Sequence, residues 1–461
     1  MSTTNVTALP TETDVVVIGM GPAGEHVAGS LAEAGLDVVG IDRELVGGEC
    51  PYWGCVPSKM MIRAANLLAE ARRIPGMAGT ATVEADWAPV AARIRDEATD
   101  NWDDDVAVKR FEGKGGTFVR GTGRLVDSHT VDVEGRRITA RRAIVVATGT
   151  RAAVPPIPGL ADTPYWTNRE AIAAETVPES MIVLGAGAIG IELAQVFSRF
   201  GSKVTVIESQ GQVLPAEEPE SGRMIAQVLE EEGVQIRVAT SAVSVAHDES
   251  GFTVSLSDGF EVRAAELLVA TGRLVDLASI GARNIGVEET GRALGTDDHM
   301  RVLEGVWAAG DVSGRGAFTH VGMYQANLAV ADILGEPPPP ADYAALPRVT
   351  FSDPEVASVG LTEAAARAKG IDVAVSTVDV RGTARGWLHK SGNHGLIKLV
   401  ADRDAGVLVG ATSAGPAGGE VLGMLTLAVH GRVPLQTLRT MIYAYPTFHR
   451  GIEDALNSLE A

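Results

Sequence analysis

Cys50 and Cys55 are the only cysteines in 461 residues, and they stand five positions apart in the run Gly47-Gly48-Glu49-Cys50-Pro51-Tyr52-Trp53-Gly54-Cys55-Val56-Pro57-Ser58-Lys59. Thiols so placed can make and break a disulfide with each other. As a structural staple the bridge would be weak, because closing so short a loop removes only roughly 2 kcal/mol of chain entropy from the unfolded state. A metal would need more ligands, and neither His nor a further Cys stands nearby. Redox exchange is the better expectation for such spacing in an intracellular enzyme. On a regular helix, residues five apart are rotated by about 140° and rise by about 7.5 Å, beyond the Cα separation of about 4.4–6.8 Å that a disulfide accepts. The segment is therefore not one plain helix. Pro51, favoured at a first helical position, predicts Cys50 at or just before a helix start, where unpaired N–H groups and the helix dipole favour thiolate over thiol.

The elements that position this pair are repeated in the chain. Asp14 to Ile18 reads as an apolar strand, followed by Gly19-Met20-Gly21-Pro22-Ala23-Gly24, a helix that stops near Gly35 and a second strand ending at Ile41-Asp42. The arrangement returns as Met181 to Leu184, Gly185-Ala186-Gly187-Ala188-Ile189-Gly190, a helix through Phe200 and a strand from Val204 to Glu208. In both copies the acid lies 18 residues after the last glycine. The glycines permit a tight turn and close backbone approach to a pyrophosphate at the helix N-terminus, while Asp42 and Glu208 can accept from a ribose hydroxyl. Two dinucleotide sites are expected.

Each unit is echoed by a strand ending in Ala-Thr-Gly, Ala143 to Gly149 and Leu267 to Gly272, read as domain crossings. A strand from Gly305 to Ala309 ends at Gly310-Asp311, where a carboxylate at the sheet edge could hold a polyhydroxylated chain. Pro337 to Pro340 read as a linker before a region of shorter alternating strands.

Composition narrows the partners. The chain has 59 Asp plus Glu against 39 Lys plus Arg, a net charge of −20, which argues against nucleic acid and against anionic membrane surfaces. Hydrophobic residues make up 45%, ample for the cores of two to four domains. Met1 to Thr13 is polar, without a basic patch and apolar core, and no run of 18 apolar residues occurs. A soluble cytoplasmic protein is expected. Cytosolic thiols are kept reduced, so a Cys pair there more readily cycles than staples.

Together these motifs resemble the flavoprotein disulfide reductases, the family of dihydrolipoamide dehydrogenase, glutathione reductase and mercuric reductase. The likeness runs along nearly the whole chain. Besides the Cys run and both glycine repeats it includes Ala309-Gly310-Asp311 and the stretch Asp353-Pro354-Glu355-Val356-Ala357-Ser358-Val359-Gly360-Leu361-Thr362-Glu363. The resemblance implies an α/β fold of two Rossmann-like dinucleotide-binding domains plus a C-terminal α+β dimerisation domain. The expected order is FAD-binding over 1–150, NAD(P)-binding over 151–275, FAD-binding again over 276–340 and a homodimer interface over 346–461.

Position by position, the resemblance makes Cys55 the thiol beside the flavin and Cys50 the exchange thiol. Lys59 and Glu192 match the family's buried ion pair near the flavin; read alone, Lys59 is a solvated helix residue and Glu192 a partner of the helix dipole. Gly19, Gly21, Gly24, Asp42, Gly48, Gly123, Thr148, Gly149, Asp311, Thr319 and His320 match FAD contacts, although His320 reads equally as a packing histidine. Gly185, Gly187, Gly190, Glu208 and Gly272 belong to the nicotinamide nucleotide. A carboxylate at 208 repels a 2′-phosphate and no Arg lies between Ser209 and Pro215, so NADH is expected over NADPH. No metal is expected.

The chain departs from the family at its end. The usual His-x-His-Pro-Thr-x-x-Glu run, which supplies the acid/base for the exchange thiol, is here Tyr443-Ala444-Tyr445-Pro446-Thr447-Phe448-His449-Arg450. Tyr445 replaces the catalytic His, a phenol of ordinary pKa about 10, and Arg450 replaces the Glu. A helix starting at Pro446 would align Tyr445, His449 and Glu453, leaving His449 as a candidate replacement base. Mercuric reductases also carry Tyr here, yet need a further C-terminal cysteine pair that this chain lacks. Tyr52 and Trp53, between the thiols, either pack the helix face or shape the approach to the disulfide. The expected activity is an FAD-dependent NADH oxidoreductase working through Cys50 and Cys55 on a small-molecule disulfide or quinone-type acceptor. Direct electron transfer from flavin to a quinone or another nicotinamide, and a non-catalytic redox sensor, are the competing readings.

Overall fold

The computed structural model describes residues 10–336 and 338–460, so Met1 to Leu9 of the polar N-terminus and Pro337 of the proline linker lie outside the described residues. The chain divides into two compact units. One comprises Met1–Ser58, Ala92–Ala153 and Arg273–Ala341; the other comprises Lys59–Ala91, Val154–Gly272 and Asp342–Ala461.

The first unit is organised by the Glu12–Ile18 strand, which is apolar without a break from Val15 because both its faces are covered. Val15 and Val17 point into a cluster with Val27 and Leu31 of the Pro22–Glu33 helix and Ala329 and Ile333 of the Thr319–Leu334 helix. Val16 and Ile18 point the other way, toward Leu125, Ile144, Leu277 and Ile280. This is the two-residue alternation of a strand, and each such buried Val or Ile contributes about 1.5–3 kcal/mol over its exposed state. The strand pairs in parallel with Val38–Asp42 and with Arg136–Val146, and the sheet extends in parallel to Thr117–Arg120 and Val306–Ala308. Ile18 stands level with Ile41 and Val146, and Val146 with Ala308. The carboxyl ends of four strands therefore meet at one edge, where a ligand crevice is expected in such a sheet.

The second unit contains a parallel sheet in the order Gln235–Arg237, Lys203–Ile207, Ser180–Leu184, Glu266–Val269. A three-stranded antiparallel sheet, Ala242–Asp248, Gly251–Leu256 and Glu261–Ala264, shares its core through Val254, Phe252 and Ile182. The C-terminal residues form a five-stranded antiparallel sheet ordered Pro347–Thr350, Glu355–Gly360, Val407–Gly415, Leu396–Asp402, Val373–Asp379. The Gly418–His430 helix lays Val421, Leu422, Leu425 and Val429 on it. Residues 59–91, inside the span read from sequence as one domain over 1–150, pack with this second unit. The expected fold class, two parallel dinucleotide-type sheets with a C-terminal α+β region, is the one observed. Among the described residues no helix is long and apolar enough to cross a membrane.

Two local expectations give way. The helix expected to open at Pro51 opens at Glu49 and spans Glu49–Tyr52, because Gly48 at φ +63 and ψ −147 turns the chain in earlier than the proline would. Cys50 consequently sits inside the first turn. The last helix spans Arg450–Asn457 instead of starting at Pro446. Phe448 packs against the C-terminal core and the Thr447 hydroxyl donates to the Ala444 carbonyl at 2.8 Å, so the preceding residues are turned inward rather than helical.

Candidate active site

The first glycine loop leaves Ile18 and caps the Pro22–Glu33 helix with Gly21. Gly19 has φ +93, and a Cβ there would strike the Ala147 carbonyl; one on Gly24 would strike the Gly19 carbonyl. Only glycine fits either place. Asp42 closes the loop from the end of the next strand. Its Oδ2 accepts from the Met20 N–H at 2.7 Å and its Oδ1 from the Glu44 N–H at 2.7 Å. Burial pushes the Asp42 carboxyl above the ordinary range, against the lowering effect of those two donors. Gly19, Asp42, Gly123, Thr148 and Gly149 all line one cleft of about 640 Å³, its open mouth included. The cleft brings together five residues expected to hold FAD, at the strand edge where a dinucleotide binds. A carboxylate fixed by the loop and a backbone free of Cβ atoms fit that cofactor.

Asp311 stands at the same sheet edge. Its Oδ2 accepts from the Thr150 hydroxyl at 2.7 Å, and burial again raises its carboxyl above the usual range. Arg273 completes the cluster, donating from Nε to the Thr150 hydroxyl at 3.0 Å and from Nη2 to the Thr150 carbonyl at 2.7 Å, with Nη1 3.4 Å from Glu49. Thr150, Arg273 and Glu49 were missed in the sequence. The one signal was position, since Thr150 and Arg273 each follow the Ala-Thr-Gly that ends a strand.

The second glycine loop repeats the first. Gly185 has φ +100 and no room for a Cβ beside the Ala270 carbonyl, and Gly190 has none beside the Gly185 carbonyl. Gly187 caps the Ala188–Arg199 helix. Glu208, 6% exposed, accepts from the Ala186 N–H at 2.8 Å through Oε2 and from the Gln210 N–H at 2.8 Å through Oε1. Gly272 takes φ +126 after the crossing strand.

Cys50 lies half-buried in the Glu49–Tyr52 turn; Cys55 is exposed and is the first residue of the Cys55–Arg72 helix. The helix break at Trp53 and Gly54 removes the rotation and rise that a continuous helix would impose between the thiols. Helix starts supply N–H groups that favour a thiolate. The Cys55 sulfur is 3.5 Å from the Thr319 hydroxyl, which opens the Thr319–Leu334 helix. His320, next along, stacks on Phe318 with centroids 5.2 Å apart. Gly48 comes close to the glycine loop, since a Cβ on it would lie 2.8 Å from the Gly21 Cα. Tyr52 is buried, and its phenol is pushed up to about 12 by burial and by the negative charge of Asp104.

In the second unit Lys59 Nζ is 2.9 Å from Glu192 Oε2 and 4.7 Å above the Phe351 ring. Glu192 Oε1 accepts from the Phe351 N–H at 2.8 Å, so this 5%-exposed carboxylate is satisfied on both oxygens. The pair anticipated from the resemblance is thus formed. At the C-terminus Tyr445 is 70% exposed and lies under the Arg450 guanidinium at 5.4 Å. Arg450 is also 3.2 Å from Glu453. The alignment of Tyr445, His449 and Glu453 on one helix is not observed: His449 caps the last helix, and Glu453 is engaged by Arg450. Among the described residues no group of three or more His, Cys, Asp or Glu could hold a metal ion.

Comparison with known proteins identifies the family. Residues 13–326 match the family model described as pyridine nucleotide-disulphide oxidoreductase, and residues 346–456 match the dimerisation domain of the same family. The chain is 34% identical over 453 residues to a mercuric reductase of Acidithiobacillus ferrooxidans, covering 96% of this chain and 82% of that protein. It is 32% identical over 471 residues to a dihydrolipoyl dehydrogenase of Haloferax volcanii, covering 97% and 96%. Among solved structures, the HOCl-induced flavoprotein disulfide reductase RclA from Escherichia coli superposes with a TM-score of 0.84 at 26% identity over 96% of this chain and 99% of that one. LpdA from Mycobacterium tuberculosis does so with the same TM-score and identity, over 97% of this chain and 99% of its own. The chain therefore belongs to the pyridine nucleotide-disulphide oxidoreductases and is a flavoprotein oxidoreductase that uses FAD and a pyridine nucleotide.

Proposed function

We propose that the chain is an NADH-dependent oxidoreductase that passes reducing equivalents through a Cys50–Cys55 disulfide to a small disulfide or quinone-type acceptor. The observation that carries the proposal is the placement of the two thiols at separate helix starts, with Cys55 against Thr319 in the unit that holds the cleft. In this reading Gly19, Gly21, Gly24, Asp42, Gly48, Gly123, Thr148, Gly149, Asp311, Thr319 and His320 hold FAD over 1–150 and 276–340. Gly185, Gly187, Gly190, Glu208 and Gly272 hold NADH over 151–275. Residues 346–461 form a homodimer interface, a reading supported by the match to a dimerisation domain and by exposed apolar side chains such as Ile442, 96% exposed, and Leu427, 66% exposed.

Bound FAD supplies the two-electron carrier between nicotinamide and thiols, and Lys59, ion-paired to Glu192, is carried over as the family's fixed cation for it. Reduction of the disulfide takes up two electrons and two protons and leaves Cys50 and Cys55 as thiols. The Cys50 thiolate then attacks one sulfur of a disulfide acceptor, expelling the first thiolate and forming a mixed disulfide. Attack by Cys55 on the Cys50 sulfur expels the second thiolate and restores the bridge. Each leaving thiolate needs one proton, and a positioned acid near neutral pKa typically contributes about 10²–10⁴ in rate. Tyr445, a phenol beneath the Arg450 cation, is a weak substitute for the missing His and Glu. Aliphatic disulfides should therefore be slow and quinones or activated aromatic disulfides fast.

Glu208 supports NADH over NADPH. Both its oxygens are held by backbone N–H groups, and in this reading the fixed carboxylate accepts from a ribose 2′-hydroxyl and repels a 2′-phosphate. The test is a set of initial rates with NADH and NADPH against lipoamide, glutathione disulfide, an aromatic disulfide and a quinone. Fast lipoamide turnover, or equal use of the two nucleotides, would overturn the corresponding half.

A further inference from the structure

The segment that follows the Ala88–Arg93 helix has an unusual backbone. It widens into a π turn over Ile94–Ala98, and Asp100, Asn101 and Trp102 then follow in succession at φ +48, +54 and +56. The left-handed region is normally visited by single residues, mostly Gly or Asn, so three consecutive side-chain-bearing residues there are unfavourable. The turn is nonetheless closed by its own hydrogen bonds. The Asn101 N–H donates to the Arg95 carbonyl at 2.6 Å and the Asp103 N–H to the Thr99 carbonyl at 3.2 Å. The Thr99 hydroxyl, buried, donates to the Ile94 and Arg95 carbonyls at 3.0 and 3.2 Å.

This backbone delivers three successive residues onto the redox segment of the same unit. Trp102 stacks on Trp53, with ring centroids 5.3 Å apart and planes inclined by 23°. The Asp103 carbonyl accepts from the Tyr52 hydroxyl at 3.4 Å. The buried Asp104 carboxylate accepts from the Val46 N–H at 2.6 Å and from Arg120 at 2.8 Å. Tyr52 ends the helical turn that carries Cys50, Trp53 caps it, and Val46 precedes the glycines that start it. The residues held are those on which the position of Cys50 relative to Cys55 depends.

We propose that Trp102, backed by Asp103 and Asp104, is a positioning residue of the redox centre, clamping the Tyr52–Trp53 hinge and so fixing how closely Cys50 is held to Cys55. The proposal rests on the reading of Cys50 and Cys55 as a redox disulfide. A disulfide tolerates only a narrow range of Cα separations and torsions. A held hinge keeps the two reduced thiols at high effective concentration toward each other, which favours the bridge; a loosened hinge makes the bridge easier to reduce.

The experiment is a redox titration of the FAD-loaded protein in dithiothreitol buffers, with thiols at Cys50 and Cys55 alkylated and counted by mass spectrometry. In each buffer the protein disulfide gains two electrons and two protons as dithiothreitol is oxidised to its cyclic disulfide. Trp102→Ala should lower the equilibrium constant for the protein disulfide about tenfold, a shift of about 30 mV toward easier reduction. Trp53→Ala should do the same, the double variant no more than either single one, and Trp102→Phe should restore the couple. If Trp102→Ala does not fold, Tyr52→Phe, which removes only the hydroxyl contact, should shift the couple in the same direction by a smaller amount. An unchanged couple with a lowered Tm would reduce the aromatic pair to packing and overturn the clamp. An unchanged couple with a raised KM for aromatic acceptors alone would make the pair an acceptor surface, also overturning it. A wild-type protein in which the two thiols do not titrate as a pair would remove the redox centre itself, a result distinct from either.

Discussion

The two glycine loops are built alike yet are covered differently. In each, a strand ends in a glycine at positive φ, a helix is capped by a second glycine, and a carboxylate from the next strand accepts one N–H from the loop and another two residues beyond itself. Over the first loop the redox segment closes in, with Gly48 against Gly21. Over the second, nothing among the described residues beyond Gly187's own chain neighbours lies within 4 Å of where a Gly187 Cβ would be. Each loop also receives an N–H from a later segment, Gly47 onto the Met20 carbonyl at 2.7 Å and Leu214 onto the Ala186 carbonyl at 2.8 Å, so the difference between them is the close approach of Gly48 to the capping glycine of the first. On the proposed assignment, the loop approached by Gly48 holds the cofactor that stays and the other holds the nucleotide that comes and goes.

Equivalent substitutions should separate the two roles. Gly24→Ala puts a Cβ into the Gly19 carbonyl, and the purified protein should be almost devoid of FAD and inactive, read by absorbance and heat release of flavin. Gly190→Ala, the counterpart, should keep FAD and raise the KM for NADH by about 100-fold, roughly 3 kcal/mol. Loss of flavin from the second variant would break the assignment of the two loops. Next in size is Glu208→Ala, expected to cut the preference for NADH over NADPH by about tenfold, since the preference itself should correspond to about 1.4 kcal/mol or more. Kinetics with both nucleotides decide it, and an unaltered ratio would place specificity elsewhere.

Acid/base substitutions should have smaller effects, because among the described residues Tyr445 and Arg450 stand where the family's His and Glu are expected. His449→Ala should change disulfide and quinone turnover by less than about threefold, given that Glu453 engages Arg450 and not the histidine. A selective loss of disulfide turnover would restore His449 as the replacement base. The smallest effect concerns pH. Burial raises the Asp311 carboxyl, so the folded apoprotein holds this proton where the unfolded chain has lost it. The stability it contributes is fully present below the ordinary carboxylate pKa and is lost as pH rises through the raised value. Asp311→Asn should accordingly flatten the decline in apoprotein Tm across that window while weakening FAD binding.

What could be read in the sequence was whatever repeats or sits at fixed spacing. Both glycine loops, Asp42, Glu208 and the thiol pair declare themselves within about 30 residues, the length of one βαβ unit. Arg273 with Thr150 and Glu49, and Trp53 with Trp102, join residues distant in the chain, and no period marks them. Gly48 illustrates a second kind of failure. Its positive φ starts the Cys50 turn before Pro51, and a proline rule applied to the local sequence places that start too late. At the C-terminus the helix start was misplaced because Phe448 is drawn to a core built by strands far upstream.

The central claim is that electrons leave through the thiols, and Cys55→Ser tests it most directly. The variant should retain FAD and still be reduced by NADH, while steady-state turnover of both an aromatic disulfide and a quinone falls by about 100-fold or more, the scale expected when a covalent intermediate is lost. Undiminished quinone turnover in that variant would contradict the account and assign the acceptor chemistry to the flavin alone.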